Sequence, residues 1–389
     1  MSILTDDSGS YDHVSVMTGK MMDRQKNNIQ CEVFFNPDKA WVARVWQSLD
    51  QQASGNFFLS WKWIGCWIEC FVDNFYLVEA RQGSKIVGLG IIVEAAGKTG
   101  VGQKKRYYLH RTGVEKYDQI WIEYNDFLLN AACAKAVRQQ MMSTVMRTLI
   151  KKDIFVVGAC DSEVFSGTFL PHLARQCLWE TTTYMLDLKR LKAQHGTLDR
   201  AISRSARYQI HRSMRQYASL GALTVTTAPS IEDVEQYFDE ANPLHVKRWG
   251  NKAGQSGFVN PDFMRFHRQM NKRNHDVMAV SKIMAGEHTV GIIYNFHWQG
   301  RVYFYLSALN YDLPIKHAKP GLVAHYLLIN QALSQDAERY DFMGGSTRYK
   351  RTFANTESGL AVYAFQQPTM ALHVENTIRD LKHRLQLTD

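Results

Sequence analysis

Several function classes leave no mark on this chain. No apolar run approaches the length that crosses a bilayer, and residues 1–30 are polar, with Asp6 and Asp7 early and no apolar signal segment. A soluble, cytoplasmic protein is therefore expected. The six cysteines (Cys31, Cys66, Cys70, Cys133, Cys160 and Cys177) include no CxxC and stand with no histidine cluster. They read as reduced, mostly buried thiols, and Cys66 and Cys70, one helical turn apart, as part of a helix core face. GxxxxGK[ST], GxSxG and HExxH are all missing, and metal-ligand spacing is absent, so no metal is expected. The glycine-rich stretch at 97–102 is not a GxGxxG after a strand, which argues against a dinucleotide fold.

What is present is ordinary globular material in a generous length. The 389 residues exceed one ordinary core and suggest two domains. Hydrophobic residues make up 45% and charged ones 21%, the balance of a folded protein. An aromatic share of 12% favours β-rich cores or aromatic-lined clefts, and the formal charge of +9 suits either an anionic partner or a plain basic surface.

Periodicity organises the rest. Residues 1–30 read as a disordered tail. A helix is expected from Asp38 to Gln51, and a second through Trp61, Ile64, Trp67, Ile68 and Phe71, capped by Ser60. Strands follow at Phe75–Arg81, Lys85–Glu94, Lys105–Thr112 and Gln119–Tyr124. Then come a long helix at Asn130–Lys152 and strands at Ile154–Gly158 and Trp179–Leu188. Leu198 to Leu220 is the most strongly patterned helix: Arg200, Arg204, Arg207, His211 and Arg215 share one face, which suits phosphate or nucleic acid or a solvated linking helix. The second half repeats the plan. A helix at Ile231–His245 is interrupted by Asn242-Pro243, and another spans Pro261–Lys272. Three strands, a helix at Leu322–Glu338 and a strand at Tyr340–Met343 come next. Leu360–Phe365 is a last strand and Thr369–Leu387 a closing helix. The fold class expected is α/β (α+β), with two structurally related domains.

The turn Lys319-Pro320-Gly321 opens the helix of the second half. First-turn N–H groups have no internal partner and carry partial positive charge, so a pyrophosphate suits that position, with Lys316 and Lys319 adding charge. A Pro-Gly pair that merely starts a helix is the plain alternative. Nearby strands carry Tyr303, Tyr305, Ser307 and Asp341, and the exit carries Tyr349 and Lys350. Attack of an amine or hydroxyl on a thioester needs a base, a polarised carbonyl and an acid for the departing thiolate. Asp341 suits the base, Tyr349 the acid, and Lys350 a phosphate or the developing negative charge.

Together these residues resemble a known family. Lys319-Pro320-Gly321, the helix, Tyr340-Asp341-Phe342-Met343-Gly344-Gly345 and Tyr349-Lys350 resemble the signature of GNAT-like acetyltransferases of the cellulose-biosynthesis-associated (CelD/BcsL) type, akin to the tandem-GNAT FemAB/FemX-like transferases. Phe58-Leu59-Ser60 with Trp63 resembles that family's entry motif. The block Glu123 to Leu128, the arginine helix, and Arg248-Trp249 through Gly257-Phe258 match in type and order, over about residues 50–370.

The resemblance implies two GNAT-like domains in tandem, each a mixed, mostly antiparallel sheet flanked by helices. The N-terminal one would occupy 31–195 and the donor-binding C-terminal one 223–389, joined by a basic helix at 196–222. It also implies acyl transfer from acyl-CoA (acetyl-CoA) to an amine or hydroxyl, with a tie to polysaccharide or cell-envelope building. The donor would lie on Lys316, Lys319, Pro320, Gly321, Leu322 and Val323. The acceptor would lie near Trp61, Glu123, Asn125, Arg248, Trp249 and Ser307, and catalysis would fall to Asp341, Tyr349, Lys350 and Tyr305. The usual GNAT loop Q/R-x-x-G-x-G/A does not occur in the chain. Two alternatives therefore stand beside acyl-CoA transfer: an aminoacyl-tRNA donor held by Arg200, Arg204, Arg207 and Arg215, and a non-catalytic binding protein of a polysaccharide-synthesis complex.

Overall fold

The computed structural model describes residues 29–95, 104–166, 169–252 and 254–368. The glycine-rich stretch at 97–102, the expected closing helix and nearly all of the expected tail fall outside them. Thirteen strands among the described residues join one mixed, mostly antiparallel sheet.

In chain order the strands are β1 (Ile29–Phe35), β2 (Tyr76–Gln82), β3 (Lys85–Glu94), β4 (Arg106–Leu109), β5 (Leu128–Leu129), β6 (Ile154–Asp161), β7 (Ala174–Asp187), β8 (Leu223–Thr227), β9 (Met278–Ala285), β10 (His288–Trp298), β11 (Arg301–Leu309), β12 (Arg339–Gly344) and β13 (Thr356–Gln366). Across the sheet they run β1-β2-β3-β4-β6-β13-β7-β12-β11-β10-β9-β8, with β5 paired to β3. The last strand among the described residues, β13, thus lies between β6 and β7, antiparallel to both. One unbroken sheet joins the two halves.

Helices cover both faces. On one lie α1 (Lys39–Asp50) and α2 (Trp61–Phe71) from the first half, with α6 (Ile231–Trp249) and α7 (Pro261–Asn274) from the second; their buried side chains form a single core with residues of β2, β3, β9, β10 and β11. On the other face, α3 (Ala134–Val145) packs on the first half. There α5 (Arg204–Ala218), preceded by α4 (Leu188–His195), packs with α8 (Pro320–Ser334) on the second. Phe57 stacks on Phe296 at 4.4 Å, and Trp63 meets Phe266 edge-on at 4.8 Å. Each such buried ring contributes roughly 1.5–3 kcal/mol, so aromatic side chains bind the halves on this face. Among the described residues no helix is long and apolar enough to cross a membrane.

Local signals explain most elements. Asp38 caps α1 by accepting the N–H of Trp41 at 2.7 Å, and Val42, Trp46 and Leu49 form its buried stripe. Gly83, with φ of +61°, allows the tight turn between β2 and β3. Five expectations are corrected. Ser60 stands at the N-cap position of α2 but its side chain accepts no first-turn N–H; its hydroxyl donates to the carbonyl of Phe57 at 2.7 Å. Residues 119–124 form no strand, because Trp121 and Tyr124 take positive φ (47° and 53°), which breaks the pleat. The helix expected at Leu198–Leu220 divides at Ile202-Ser203, where Ser203 accepts the N–H of Ala206 at 3.2 Å and starts α5 afresh. Helix α6 continues through Pro243 to Trp249; Asn242 and Pro243 are exposed, so water can satisfy the carbonyl that proline leaves without a donor. Finally, β1 begins inside the stretch read as a tail, its Ile29, Cys31 and Val33 alternating with exposed Gln30 and Glu32.

Candidate active site

Strand alternation sets the site. On β12, Tyr340 and Phe342 point into the core beneath α8, so Asp341 and Met343 face the opposite side, towards α2 and the 119–125 loop. The parallel pairing of β11 with β12 places Arg301, Val302 and Tyr303 beside Arg339, Tyr340 and Asp341, and then the two strands part.

Asp341 has no exposed surface. Its Oδ1 accepts hydrogen bonds from the Tyr124 hydroxyl (2.8 Å) and from the N–H of Met343 (2.8 Å). The Tyr124 hydroxyl also meets Thr183 Oγ1 at 2.8 Å. Arg301 lies with its guanidinium over the rings of Tyr124 (5.9 Å) and Tyr303 (5.2 Å), its Nε 3.7 Å from Asp341 Oδ2. Burial pushes the Asp341 carboxyl up, and the Arg301 charge and these hydrogen bonds oppose that rise.

Next to this network, Glu123 and Lys350 engage the same residue. Oε2 of Glu123 accepts the N–H of Gly344 at 2.7 Å, while Nζ of Lys350 donates to the Gly344 carbonyl and, at 3.4 Å, to that of Met343. Lys350 comes from a short helix, α9 (Arg348–Phe353), rather than from an exposed exit, and it is buried. Burial pushes Glu123 up to about 7, against the pull of the Gly344 N–H and Lys350. It pushes Lys350 down to about 8, against Glu123 and Asp341. A carboxylate that titrates near neutrality is suited to take a proton, and an ammonium beside it can stabilise developing negative charge.

The loop that carries Glu123 and Tyr124 is held from both sides. Asn125 donates to the carbonyls of Leu109 (2.8 Å), at the end of β4, and Gly158 (3.1 Å), within β6, and its Oδ1 meets His110 Nδ1 at 2.9 Å. With every side-chain group committed, Asn125 holds the loop and offers a substrate nothing. Tyr305 donates to the carbonyl of Ile120 at 2.6 Å and meets His267 Nε2 at 3.1 Å, so it too supports the loop. Burial keeps His267 neutral by lowering its pKa to about 3.

Of the residues singled out from sequence, Asp341, Lys350 and Glu123 come together, with Tyr305 beneath their loop. Tyr349 is separated from them: its ring stacks on His325 at 5.0 Å and contacts Phe304 and Phe342, on the other face of β12. It stands in the gap where β11 and β12 part, and the role of acid beside Asp341 does not fit it. Ser307 lies on β11 past a bulge at Tyr305, opposite Ile293. Trp61 packs against Trp46 at 6.3 Å. Arg248 and exposed Trp249 end α6, with the Arg248 guanidinium 5.6 Å from the ring of Tyr311.

At the start of α8, Lys316 and Lys319 are exposed. The Lys316 carbonyl accepts from Gln216 at 2.8 Å, and the Lys319 N–H donates to Ser213 Oγ at 3.2 Å. An added Cβ at Gly321 would press on Leu309 at 3.3 Å, so glycine keeps the backbone of this turn uncrowded. Pro320 and Val323 are core residues, whereas Gly321 and Leu322 sit in the first turn. These residues fit a phosphate-bearing group through the first-turn N–H groups and two lysines. On α5 the exposed basic face is Arg204, Arg212 and Arg215 around exposed Tyr208. Arg207 is turned inward to the carbonyl of Asp199 (2.8 Å), and Arg200 lies in the separate turn before α5.

Arg301 and Thr183 were not singled out from sequence, Tyr303 was noted there only as a strand residue, and Tyr124 only within the block Glu123 to Leu128. The Arg-x-Tyr alternation at 301–303 was the available signal, but it acquires meaning only when β11 pairs with β12.

Residues 204–351 match the acetyltransferase (GNAT) domain family, and with it the acyltransferase class. The matched stretch holds Arg301, Asp341 and Lys350, whereas Glu123 and Tyr124 come from outside it. No curated protein matches the chain. Solved structures similar to it include FemX, at 11% identity and a TM-score of 0.56 over 88% of this chain and 98% of that one. The C-terminal domain of a putative lysylphosphatidylglycerol synthetase from Agrobacterium fabrum follows at 10% and 0.51, covering 88% and 95%. L-PGS from Bacillus licheniformis stands at 11% and 0.50, covering 88% and 96%. At such identities the likeness is one of fold.

Proposed function

We propose that this chain transfers an acyl group from an acyl-CoA thioester to an amine or hydroxyl of a small-molecule, sugar or cell-envelope precursor, in keeping with the resemblance to the cellulose-biosynthesis-associated type. The carrying observation is the placement of Glu123 and Lys350 on the N–H and C=O of Gly344, beside buried Asp341. The acceptor's nitrogen or oxygen attacks the thioester carbonyl carbon and its proton passes to Glu123. Lys350 faces the oxyanion. The carbon–sulfur bond then breaks and the departing thiolate takes the proton from Glu123. Asp341, held by Tyr124 and Arg301, adds negative charge that keeps Lys350 protonated. The donor's phosphates would rest on Lys316, Lys319 and the first turn of α8.

Free-thiol release from acetyl-CoA with a panel of amine and hydroxyl acceptors tests the reading. Wild-type release that falls at least a hundredfold in both Glu123→Gln and Lys350→Met supports it. Release that is unchanged in both variants sinks it.

A second reading, with aminoacyl-tRNA as donor, is favoured by one observation, the exposed Arg204, Tyr208, Arg212 and Arg215 on α5. Filter binding of tRNA across a salt series separates the two. A steep salt slope that flattens in Arg204→Ala/Arg212→Ala supports tRNA, and a shallow slope unchanged in that variant supports the thioester.

A further inference from the structure

We propose that the acceptor enters a cleft on the first-half side of the cluster, and that this cleft recognises a single uncharged or amino-substituted pyranose unit. The cleft measures about 290 Å³ and is built by both halves. Tyr124 and Arg301 line it, and both also touch Asp341, so a ligand's reacting end would lie towards these two side chains, with Glu123 and Lys350 just outside the lining. That reacting end rests on the transferase reading; the cleft and its ligand class do not.

The cleft's cations are already paired. Arg138 clasps Asp126 at 2.6–3.0 Å, and Arg301 lies beside Asp341. Asp161 accepts the N–H groups of Glu163 (2.8 Å) and Val164 (3.3 Å) through Oδ1. A phosphate or carboxylate entering here would lose water and find no spare countercharge. Hydroxyls that both donate and accept suit such a lining, where Ser54 and Ser358 stand with Asp161. The half-buried ring of Tyr124 supplies an apolar wall for the C–H face of a sugar, with Phe127 and Phe165 buried behind the lining. Size agrees. At roughly 30 Å³ per water the cleft holds about ten waters, close to the dozen or so non-hydrogen atoms of one hexose.

The residues chosen from sequence for the acceptor do not line this cleft, apart from Asn125, whose side-chain groups are committed elsewhere. The assignment therefore moves the acceptor from Trp61, Arg248 and Trp249 to the side of Ser54, Asp161 and Ser358.

Calorimetric titration of the whole protein with glucosamine and with glucose, against uridine diphosphate as the charged comparison, tests this. The expected result is saccharide binding that weakens at least tenfold in both Ser358→Trp and Ser54→Trp, two exposed positions at which a large ring would fill the cleft. The thermal shift caused by acetyl-CoA should be equal in both variants and the wild type. Absence of saccharide binding, binding unchanged in both variants, or tighter binding of uridine diphosphate lost in the same variants would overturn the proposal. Saccharide binding lost in the variants, with no turnover of any acyl donor, would keep the cleft and remove the transferase reading. Transfer to an amine that carries no sugar, with no saccharide bound, would do the reverse.

Discussion

Glu123 and Lys350 hold opposite ends of one residue: the first accepts the N–H of Gly344, and the second donates to its carbonyl. Burial moves the two groups towards each other on the pH scale, the carboxyl up to about 7 and the ammonium down to about 8. The pair is active as carboxylate and ammonium together. Turnover should therefore rise as pH passes about 7 and fall as it passes about 8, giving a narrow bell. A pH–kcat/KM profile checks this. In Glu123→Gln the rising limb should vanish along with most of the rate; a bell that persists in that variant would assign the limb to another group.

The same burial shapes stability. The Glu123 carboxyl keeps its proton in the folded state above the pH at which the unfolded chain releases it, so the folded state binds more protons between the ordinary glutamate value of 4.5 and about 7. Stability from this group is complete below that window and declines across it as pH rises. Urea unfolding at pH 5 and pH 8 should show Glu123→Gln gaining on the wild type at the higher pH.

Asp341 and Tyr124 should be strongly coupled. Removing the hydroxyl in Tyr124→Phe leaves a buried acceptor one donor short and costs roughly 1–3 kcal/mol. Truncation in Asp341→Ala leaves Arg301 without its carboxylate, a loss of roughly 3–5 kcal/mol. The double variant should be less destabilised than the sum by about 1 kcal/mol or more. Chemical denaturation of the four proteins measures the cycle, and strict additivity would mean the 2.8 Å contact contributes no coupling.

Asn125→Ala strips donors from two carbonyls, those of Leu109 and Gly158. Each uncompensated group costs roughly 1–3 kcal/mol, so the midpoint of unfolding should fall clearly. Because the same side chain anchors the loop bearing Glu123 and Tyr124, kcat should drop as well. The acetyl-CoA thermal shift, set at the start of α8, should stay.

Gly345 takes φ of +108° three residues before the start of α9, and an added Cβ would lie 3.4 Å from Lys350 Nζ. Gly345→Ala should cost about 1–3 kcal/mol through backbone strain. It should also shift the alkaline limb of the pH profile to lower pH, because a methyl packed against Lys350 Nζ adds to the desolvation of its ammonium. Thermal unfolding together with the profile separates these two effects.

How much of this was legible in the sequence depends on the range of the signal. Caps and apolar spacing act within a turn or two of backbone, so α1, α2, α7 and α8 and most strands could be read directly. Asp341 and Lys350 could be singled out because an acid on an apolar strand and a lysine after paired glycines are unusual enough to notice, whereas Glu123 was picked out only by the resemblance to a known family. Only the folded chain decides which of them meet. Asp341 faces Tyr124 because β12 pairs with β11 and β7, and the same alternation turns Tyr340 and Phe342 to the opposite side, where Tyr349 also lies. Residues 119–124 carry a strand-like pattern, yet Asn125 ties their end to β4 and β6 and the pleat is lost. Likewise β13 reaches its place between β6 and β7 from the far end of the chain. Local sequence determines which surfaces must be buried. The choice of partner depends on pairings between distant segments, whose closure entropy and shape match no local pattern encodes.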